Sequence, residues 1–118
     1  MQRTILKSKI HRATVTGSDL NYEGSIAIDA KICSEADLTE FEKVDIYDVN
    51  NGSRFSTYII QGTKGEFSLN GAAARLVHTG DKIIIASYAN YDEREIAAHR
   101  PKVVIMNEDN SIKEIITK

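Results

Sequence analysis

The chemistry available to this sequence begins at one dipeptide, Gly24-Ser25, in the stretch YEGS. A serine hydroxyl held against the preceding carbonyl carbon can attack it and convert the amide into an ester. Elimination from that ester leaves dehydroalanine, which hydrolyses to an N-terminal pyruvoyl group. Glycine before the serine gives the backbone freedom to strain. Gly-Ser is also typical of an ordinary tight turn, which dipeptide statistics favour, so the dipeptide alone leaves both interpretations open.

A second set of residues has the types needed to bind an anion and donate a proton. Arg54 and Tyr58 share one face of a regular strand in SRFSTYII, opposite Thr57. Lys9 and His11 share a face of another predicted strand. Arginine presents a planar fork that matches a carboxylate, and lysine adds a point charge. A solvated strand face gives the same pattern and is the open alternative.

The stretch NGAAA, from Asn70 to Ala74, also has two interpretations. Asn70 is a suitable N-cap for a short alanine-rich helix that runs to about Val77. The same small residues would let a ligand approach main-chain N–H groups at the helix N-terminus, where anions bind well. The pattern alone favours the plain helix start.

Several other kinds of site are disfavoured. The three histidines and single cysteine lack metal-ligand spacing, so no metal site is expected. Cys33 lies among apolar residues of a predicted helix, which indicates a buried structural thiol. The sequence contains neither a glycine-rich phosphate loop nor a G-x-S-x-G nucleophile motif.

Composition limits the class of protein. The chain has 118 residues, enough for one domain, and a net charge of −2, which disfavours a nucleic-acid partner. One cysteine allows no internal disulfide and fits a reducing compartment. No apolar run has the length of a signal peptide or membrane span, so we expect a cytoplasmic protein without a membrane partner.

The elements that must position these residues are mostly short strands. Asn50-Asn51-Gly52 lies between two β-rich runs and predicts a hairpin. A mainly β chain with short helices predicts a small closed barrel, since closure removes exposed strand edges. The predicted strands cover 3–16, 25–28, 42–49, 53–60, 66–69, 82–90 and 102–107, and the predicted helices cover 29–37, 70–77 and 92–99.

Taken together, several stretches resemble the pyruvoyl-dependent aspartate 1-decarboxylase family from the N-terminus to about residue 106. They are RTILKSKIHRATVT, LNYEGSIAID, NGSRFSTYII, LNGAAARLV, GDKIIIASY and HRPKVV. The resemblance implies a closed six-stranded double-psi β-barrel, in which Gly80-Asp81 forms a recurring turn. It also implies a homotetramer with active sites between subunits, which converts L-aspartate into β-alanine and CO2 for pantothenate and coenzyme A synthesis.

The resemblance further implies roles for individual residues. Cleavage falls between Gly24 and Ser25, and the chains 1–24 and 25–118 stay packed together. Ser25 becomes a covalent pyruvoyl group that forms a Schiff base with the aspartate amine and acts as electron sink. Tyr58 is the proton donor, and Thr57 takes part in self-cleavage. The residues implied in substrate binding are Lys9, His11, Arg54, Thr57, Asn70, Gly71, Ala72 and Ala73.

Strand alternation puts Thr57 and Tyr58 on opposite faces, so either the strand is distorted or the two act across different surfaces. For Arg54 we favour contact with the side-chain carboxylate, because a cation on the departing carboxylate would stabilise the ground state. The sequence departs from the family pattern at Tyr47, where relatives carry Trp or a smaller apolar residue. It is also a couple of residues shorter in segment 62–69.

Two alternatives stay open. One is a pyruvoyl decarboxylase for another acidic amino acid, because an Arg–Lys site does not fix substrate length. The other is a small non-enzymatic barrel in which Gly24-Ser25 is an ordinary turn. The low aromatic content of 7% disfavours a nucleic-acid-binding barrel.

Overall fold

Strands predominate in the computed structural model, which describes residues 1–118. The helices are α1 (Ala30–Glu35) and α2 (Glu93–Ala98), with a 3-10 helix at Gly71–Arg75. Neither α-helix, at six residues each, has the length needed to cross a bilayer. The strands are β1 (Gln2–Thr14), β2 (Gly17–Asp19), β3 (Ser25–Asp29), β4 (Lys43–Asp48), β5 (Arg54–Gly62), β6 (Phe67–Asn70), β7 (Lys82–Asp92), β8 (Lys102–Met106) and β9 (Ile112–Thr117).

The sheet corrects the prediction of a closed six-stranded double-psi barrel, which is wrong. All nine strands form one sheet in the order β2-β6-β3-β5-β4-β7-β1-β8-β9. β2 pairs only with β6, and β9 pairs only with β8, so the sheet has two edges and stays open. The edge strands are short, three and six residues, which limits the unpaired backbone they expose.

The predicted hairpin is confirmed and places β5 in the middle of the sheet. β4 and β5 are antiparallel across the Asn50-Asn51-Gly52 turn, where Gly52 has φ of 77°. This left-handed conformation suits glycine. On its other side β5 pairs in parallel with β3, the strand that begins at Ser25. The hairpin therefore brings the anion-binding candidates to the strand beside the proposed cleavage site.

The core is one cluster of 19 buried residues contributed by most of the strands and by α1. Ile26, Ile46, Phe67 and Ile85 are among its fully buried members. Cys33 is buried in α1 and free, as predicted, and burial raises the pKa of its thiol to about 11. A thiol in this state is a packing residue and not a nucleophile.

Candidate active site

Ser25 lies at the first position of β3 and is fully buried. Its Oγ donates a hydrogen bond to the Glu23 carbonyl at 2.9 Å and accepts one from Asn70 Nδ2 at 3.1 Å. The register explains the second bond, because β3 and β6 are antiparallel with Ser25 opposite Asn70. The hydroxyl proton and one lone pair are thus engaged, which restricts the rotamer of Ser25.

Asn70 does not cap a helix, contrary to the prediction. Its side chain makes no capping hydrogen bond, and the residues after it form a 3-10 helix that ends at Arg75. The amide is directed to Ser25 instead. Within the 3-10 helix Ala72 is exposed, whereas Ala73 packs against the core. The NGAAA stretch therefore contributes to the surroundings of the proposed cleavage site.

Gly71 approaches the Gly24 backbone so closely that position 71 has no room for a side chain, whereas a Cβ on Gly24 would meet nothing within 4 Å. A Cβ on Gly71 would lie 2.6 Å from Gly24 Cα and 2.8 Å from Gly24 N. Gly71 also has φ of 70°, whereas Gly24 is not in the left-handed region. The left-handed conformation therefore lies at Gly71 and not at Gly24. The absence of a side chain at Gly71 permits contact between the two backbone segments.

Arg54 is exposed at the start of β5 and has no acidic partner in the chain. Its guanidinium lies 4.0 Å from the centre of the Tyr47 ring, on the paired strand β4. Tyr47 and Tyr88 hydroxyls are 3.1 Å apart. Burial, followed by the contact with Tyr88, raises the pKa of Tyr47 to about 12, so Tyr47 stays neutral. Arg54 is thus held by a neutral ring while its charge remains free for an anion.

Tyr58 and Thr57 lie on the strand beside Ser25. β3 and β5 are parallel with Ile26 opposite Ile59, so the next step along both strands aligns Ser25 with Tyr58. β5 pairs with β4 without a bulge, and neighbouring side chains therefore alternate between faces. Thr57 and Tyr58 therefore point to opposite faces of an undistorted strand.

Lys9 and His11 lie on β1, which β7 and β4 separate from β5. Lys9 has no ion pair, whereas neighbouring Lys7 binds Glu42 at 2.9 Å. His11 Nδ1 is buried without a hydrogen-bond partner. Burial lowers the pKa of His11, with help from the charge of Lys9, so the imidazole is neutral at pH 7. β1 therefore offers the unpaired cations Lys9 and Arg12 and one neutral imidazole.

Within one chain the predicted residues form separate groups. Asn70 and Gly71 lie against the Gly24-Ser25 peptide bond, the proposed cleavage site, and Tyr58 lies beside them on β5. No hydrogen bond or ion pair connects this group to the Lys9 group on β1. Sequence reasoning missed the contact of Tyr47 with Arg54, although hairpin register puts these two residues opposite each other.

The chain is similar to known aspartate decarboxylases over almost its whole length. The aspartate decarboxylase family model matches residues 1–113. An aspartate 1-decarboxylase of Cupriavidus necator is 59% identical over 117 residues, covering 98% of this chain and 98% of that protein. One from Hydrogenobaculum sp. is 59% identical over 115 residues, covering 98% of this chain and 92% of that protein. One from Persephonella marina is 59% identical over 114 residues, covering 95% and 81%.

These matches confirm the class of enzyme predicted from the sequence, a carboxy-lyase. The chain belongs to the aspartate decarboxylase family.

Proposed function

We propose that this chain decarboxylates L-aspartate to β-alanine and CO2, using a pyruvoyl group made from Ser25, and so supplies pantothenate and coenzyme A synthesis. The observation that carries the proposal is the buried Ser25 hydroxyl, held between the Glu23 carbonyl and the Asn70 amide beside the Gly24 peptide. Family membership supports the substrate and reaction. The single free, buried cysteine fits the cytoplasmic location that we propose.

The proposed self-cleavage starts from the rotamer described above. Ser25 Oγ attacks the Gly24 carbonyl carbon, the C–N bond breaks, and the hydroxyl proton passes to the departing nitrogen to give an ester. Elimination then releases Gly24 as a carboxylate, and hydrolysis of the dehydroalanine releases ammonia and leaves the pyruvoyl group. Asn70 holds Oγ in place, and the Gly71 contact fixes the Gly24 backbone. Chains 1–24 and 25–118 remain one packed domain.

The surroundings of Ser25 fit a pyruvoyl group. They are buried, and the Asn70 amide supplies an N–H donor suited to a carbonyl oxygen. Once present, such a carbonyl supplies an electron sink for the loss of CO2. Because the amide donor is neutral, it can orient an oxygen without adding a fixed charge next to the reacting carbon.

Arg54 and Tyr58 supply the binding and proton-transfer groups in our proposal. They lie four residues apart on one face of β5, so their Cα atoms are about 13 Å apart at the rise of an extended strand. Two long side chains directed toward each other span that distance around a small amino acid. Arg54 binds the carboxylate retained in β-alanine, since a cation on the departing carboxylate would oppose CO2 loss. Tyr58 donates the proton that replaces CO2.

Lys9, His11 and Thr57 complete the proposed substrate site from a neighbouring subunit of a homotetramer. β1 is three strand steps from β5, about 14 Å along the sheet, and Lys9 and Arg54 have no common ion-pair partner within a chain. A second copy of the chain resolves this separation. The main-chain N–H groups of Gly71, Ala72 and Ala73 border the same site and contribute to substrate binding.

Denaturing mass spectrometry with an aspartate decarboxylase assay tests the proposal. We expect two fragments divided after Gly24, with the larger beginning in a pyruvoyl group, and release of β-alanine and CO2. Ser25→Ala should remain a single chain and be inactive, while Ser53→Ala, in the hairpin turn, should behave as wild type. An intact wild-type chain that releases CO2 from aspartate would contradict the role of Ser25.

A further inference from the structure

Phe41 combines a strained backbone conformation with an exposed aromatic side chain. Its φ is 70°, in the left-handed region that bulky residues rarely adopt, and 71% of the residue is exposed. An exposed aromatic ring gains little from burial, so packing does not offset the backbone strain. Strain of this kind persists where surrounding structure enforces it, and it clusters at functional sites.

The enforcing contacts come from both sides of the residue. Phe41 N–H donates to the Ile59 carbonyl at 2.7 Å, and Ile59 N–H donates to the Glu42 carbonyl at 3.1 Å. The Glu42 carboxylate is in turn bound by Lys7 at 2.9 Å and by the Ser87 hydroxyl. The backbone at 41–42 is therefore attached to β5, β1 and β7, and the direction of the Phe41 side chain is fixed.

That direction brings the Phe41 ring to Tyr58. The ring centres are 6.3 Å apart with planes inclined by 44°, a separation typical of aromatic pairs. The Tyr47 and Tyr88 hydroxyls bind each other, whereas the Tyr58 hydroxyl makes no hydrogen bond within the chain. The Phe41 ring thus lies where it limits the turning of the Tyr58 ring.

We propose that Phe41 is a positioning residue that holds the Tyr58 ring in the orientation needed for proton delivery. The inference rests on the proposed function, in which Tyr58 is the proton donor. In this role Phe41 acts through Tyr58 and not by contact with the substrate or the reacting atoms. Its strained backbone is the means by which a ring from the loop before β4 reaches a residue on β5.

Kinetics and thermal stability of processed enzyme separate this role from a structural one. Phe41→Gly relieves the strained φ but removes the ring, so we expect Tm equal to or above wild type while kcat falls roughly tenfold. KM should stay within about twofold, because the ring does not bind substrate. Phe41→Tyr keeps the ring and should restore kcat. Parallel losses of Tm and kcat, or an unchanged kcat, would overturn the inference.

Asp37→Gly is the matched control for strain relief. Asp37 also has a left-handed φ, 56°, but carries no ring, and its carbonyl contact with Lys7 survives the substitution. We expect its Tm to change as in Phe41→Gly and its kcat to stay at the wild-type value. A tenfold loss of kcat in Asp37→Gly as well would assign the effect to the loop and not to the ring.

A second readout does not depend on decarboxylation. With 3-fluorotyrosine at position 58 of the Ser25→Ala chain, the 19F signal should shift and change width when Phe41→Gly is added. Phe41→Tyr should leave a signal close to that of the parent. An unchanged signal in Phe41→Gly refutes the ring contact even if the enzyme is active. The two proposals can also fail separately. If Phe41→Gly changes the 19F signal but the wild-type enzyme has no decarboxylase activity, only the proposed function is refuted.

Discussion

Replacing Gly71 with alanine tests whether close backbone contact controls self-cleavage. Gly71 and Gly52 have nearly the same left-handed φ, 70° and 77°. Alanine at either position therefore adds similar strain, about 1–2 kcal/mol. At Gly52 the new Cβ meets nothing within 4 Å, whereas at Gly71 it lies 2.6 Å from Gly24 Cα. Gly52→Ala thus measures the strain alone.

The displacement at Gly71 follows from these distances. Ordinary contact begins near 3.4 Å, so the two backbones must separate by 3.4 − 2.6, or about 0.8 Å. Ser25 follows Gly24 in the chain, and its 3.1 Å hydrogen bond from Asn70 lengthens with the movement. A misplacement on the order of 1 Å reduces the rate of a positioned reaction by about 10²-fold.

The assay is the time course of cleavage, followed by denaturing mass spectrometry of freshly made chain. We expect Gly71→Ala to cleave about 10²-fold more slowly than wild type, and Gly52→Ala to stay within about threefold. Unfolding in urea measures the strain that both variants share. Equal cleavage rates for the two variants would refute the argument that the Gly24–Gly71 contact positions the bond.

Other perturbations test the electrostatics. Asp48 is 2% exposed, and burial, then contact with Asp81, raises its pKa in the folded state. The folded chain therefore holds a proton that the unfolded chain loses first, and stability falls as pH rises through that window. Asp48→Asn should abolish this slope in urea unfolding between pH 4 and 7 and be at least as stable as wild type at pH 7. An unchanged or steeper dependence of stability on pH in Asp48→Asn would contradict this prediction. Glu42→Gln removes the ion pair with Lys7 and should destabilise the chain by about 2 kcal/mol in the same measurement, whereas no loss would show that the pair is dispensable. Arg54→Ala should reduce kcat/KM for aspartate by about 10- to 100-fold but hardly affect a substrate without the distal carboxylate. Equal losses for the two substrates would contradict the contact between Arg54 and the distal carboxylate.

Local sequence signals predicted most of the strands. The Asn-Gly turn located the hairpin, and alternation along β5 correctly separated Thr57 from Tyr58, because both depend on neighbouring residues alone. The helix predicted from Asp29 also forms, with the Asp29 side chain accepting from Lys31 N. These features require no knowledge of distant pairing.

The predicted closure failed for a reason visible in the chain. The two strands without a prediction, β2 and β9, are the two edges of the sheet. β2 consists only of Gly-Ser-Asp and has no alternation of apolar and polar residues. Its pairing with β6 therefore follows from where the tertiary fold places it and not from its own sequence. The closed barrel was predicted from the short strands and from the family resemblance, but strand count and edge pairing are long-range properties that periodicity does not specify.

The residue types of the candidate site could be predicted from the sequence, but the contacts between those residues could not. The chemistry of Ser25 follows from its hydroxyl and the glycine before it. The hydrogen bond from Asn70 depends on the pairing of β3 with β6, and local propensity instead favoured a helix cap. Nothing in the sequence marks Phe41 as left-handed, since Asn and Gly are the usual residues there.

Reductive trapping tests the central claim most directly. Borohydride added to processed enzyme during turnover of labelled aspartate should fix the label on the first residue of the larger fragment, the position derived from Ser25. Peptide mass spectrometry locates it. Label on a lysine, or a processed and active enzyme whose larger fragment carries no label, would contradict an account in which Ser25 provides the reactive group.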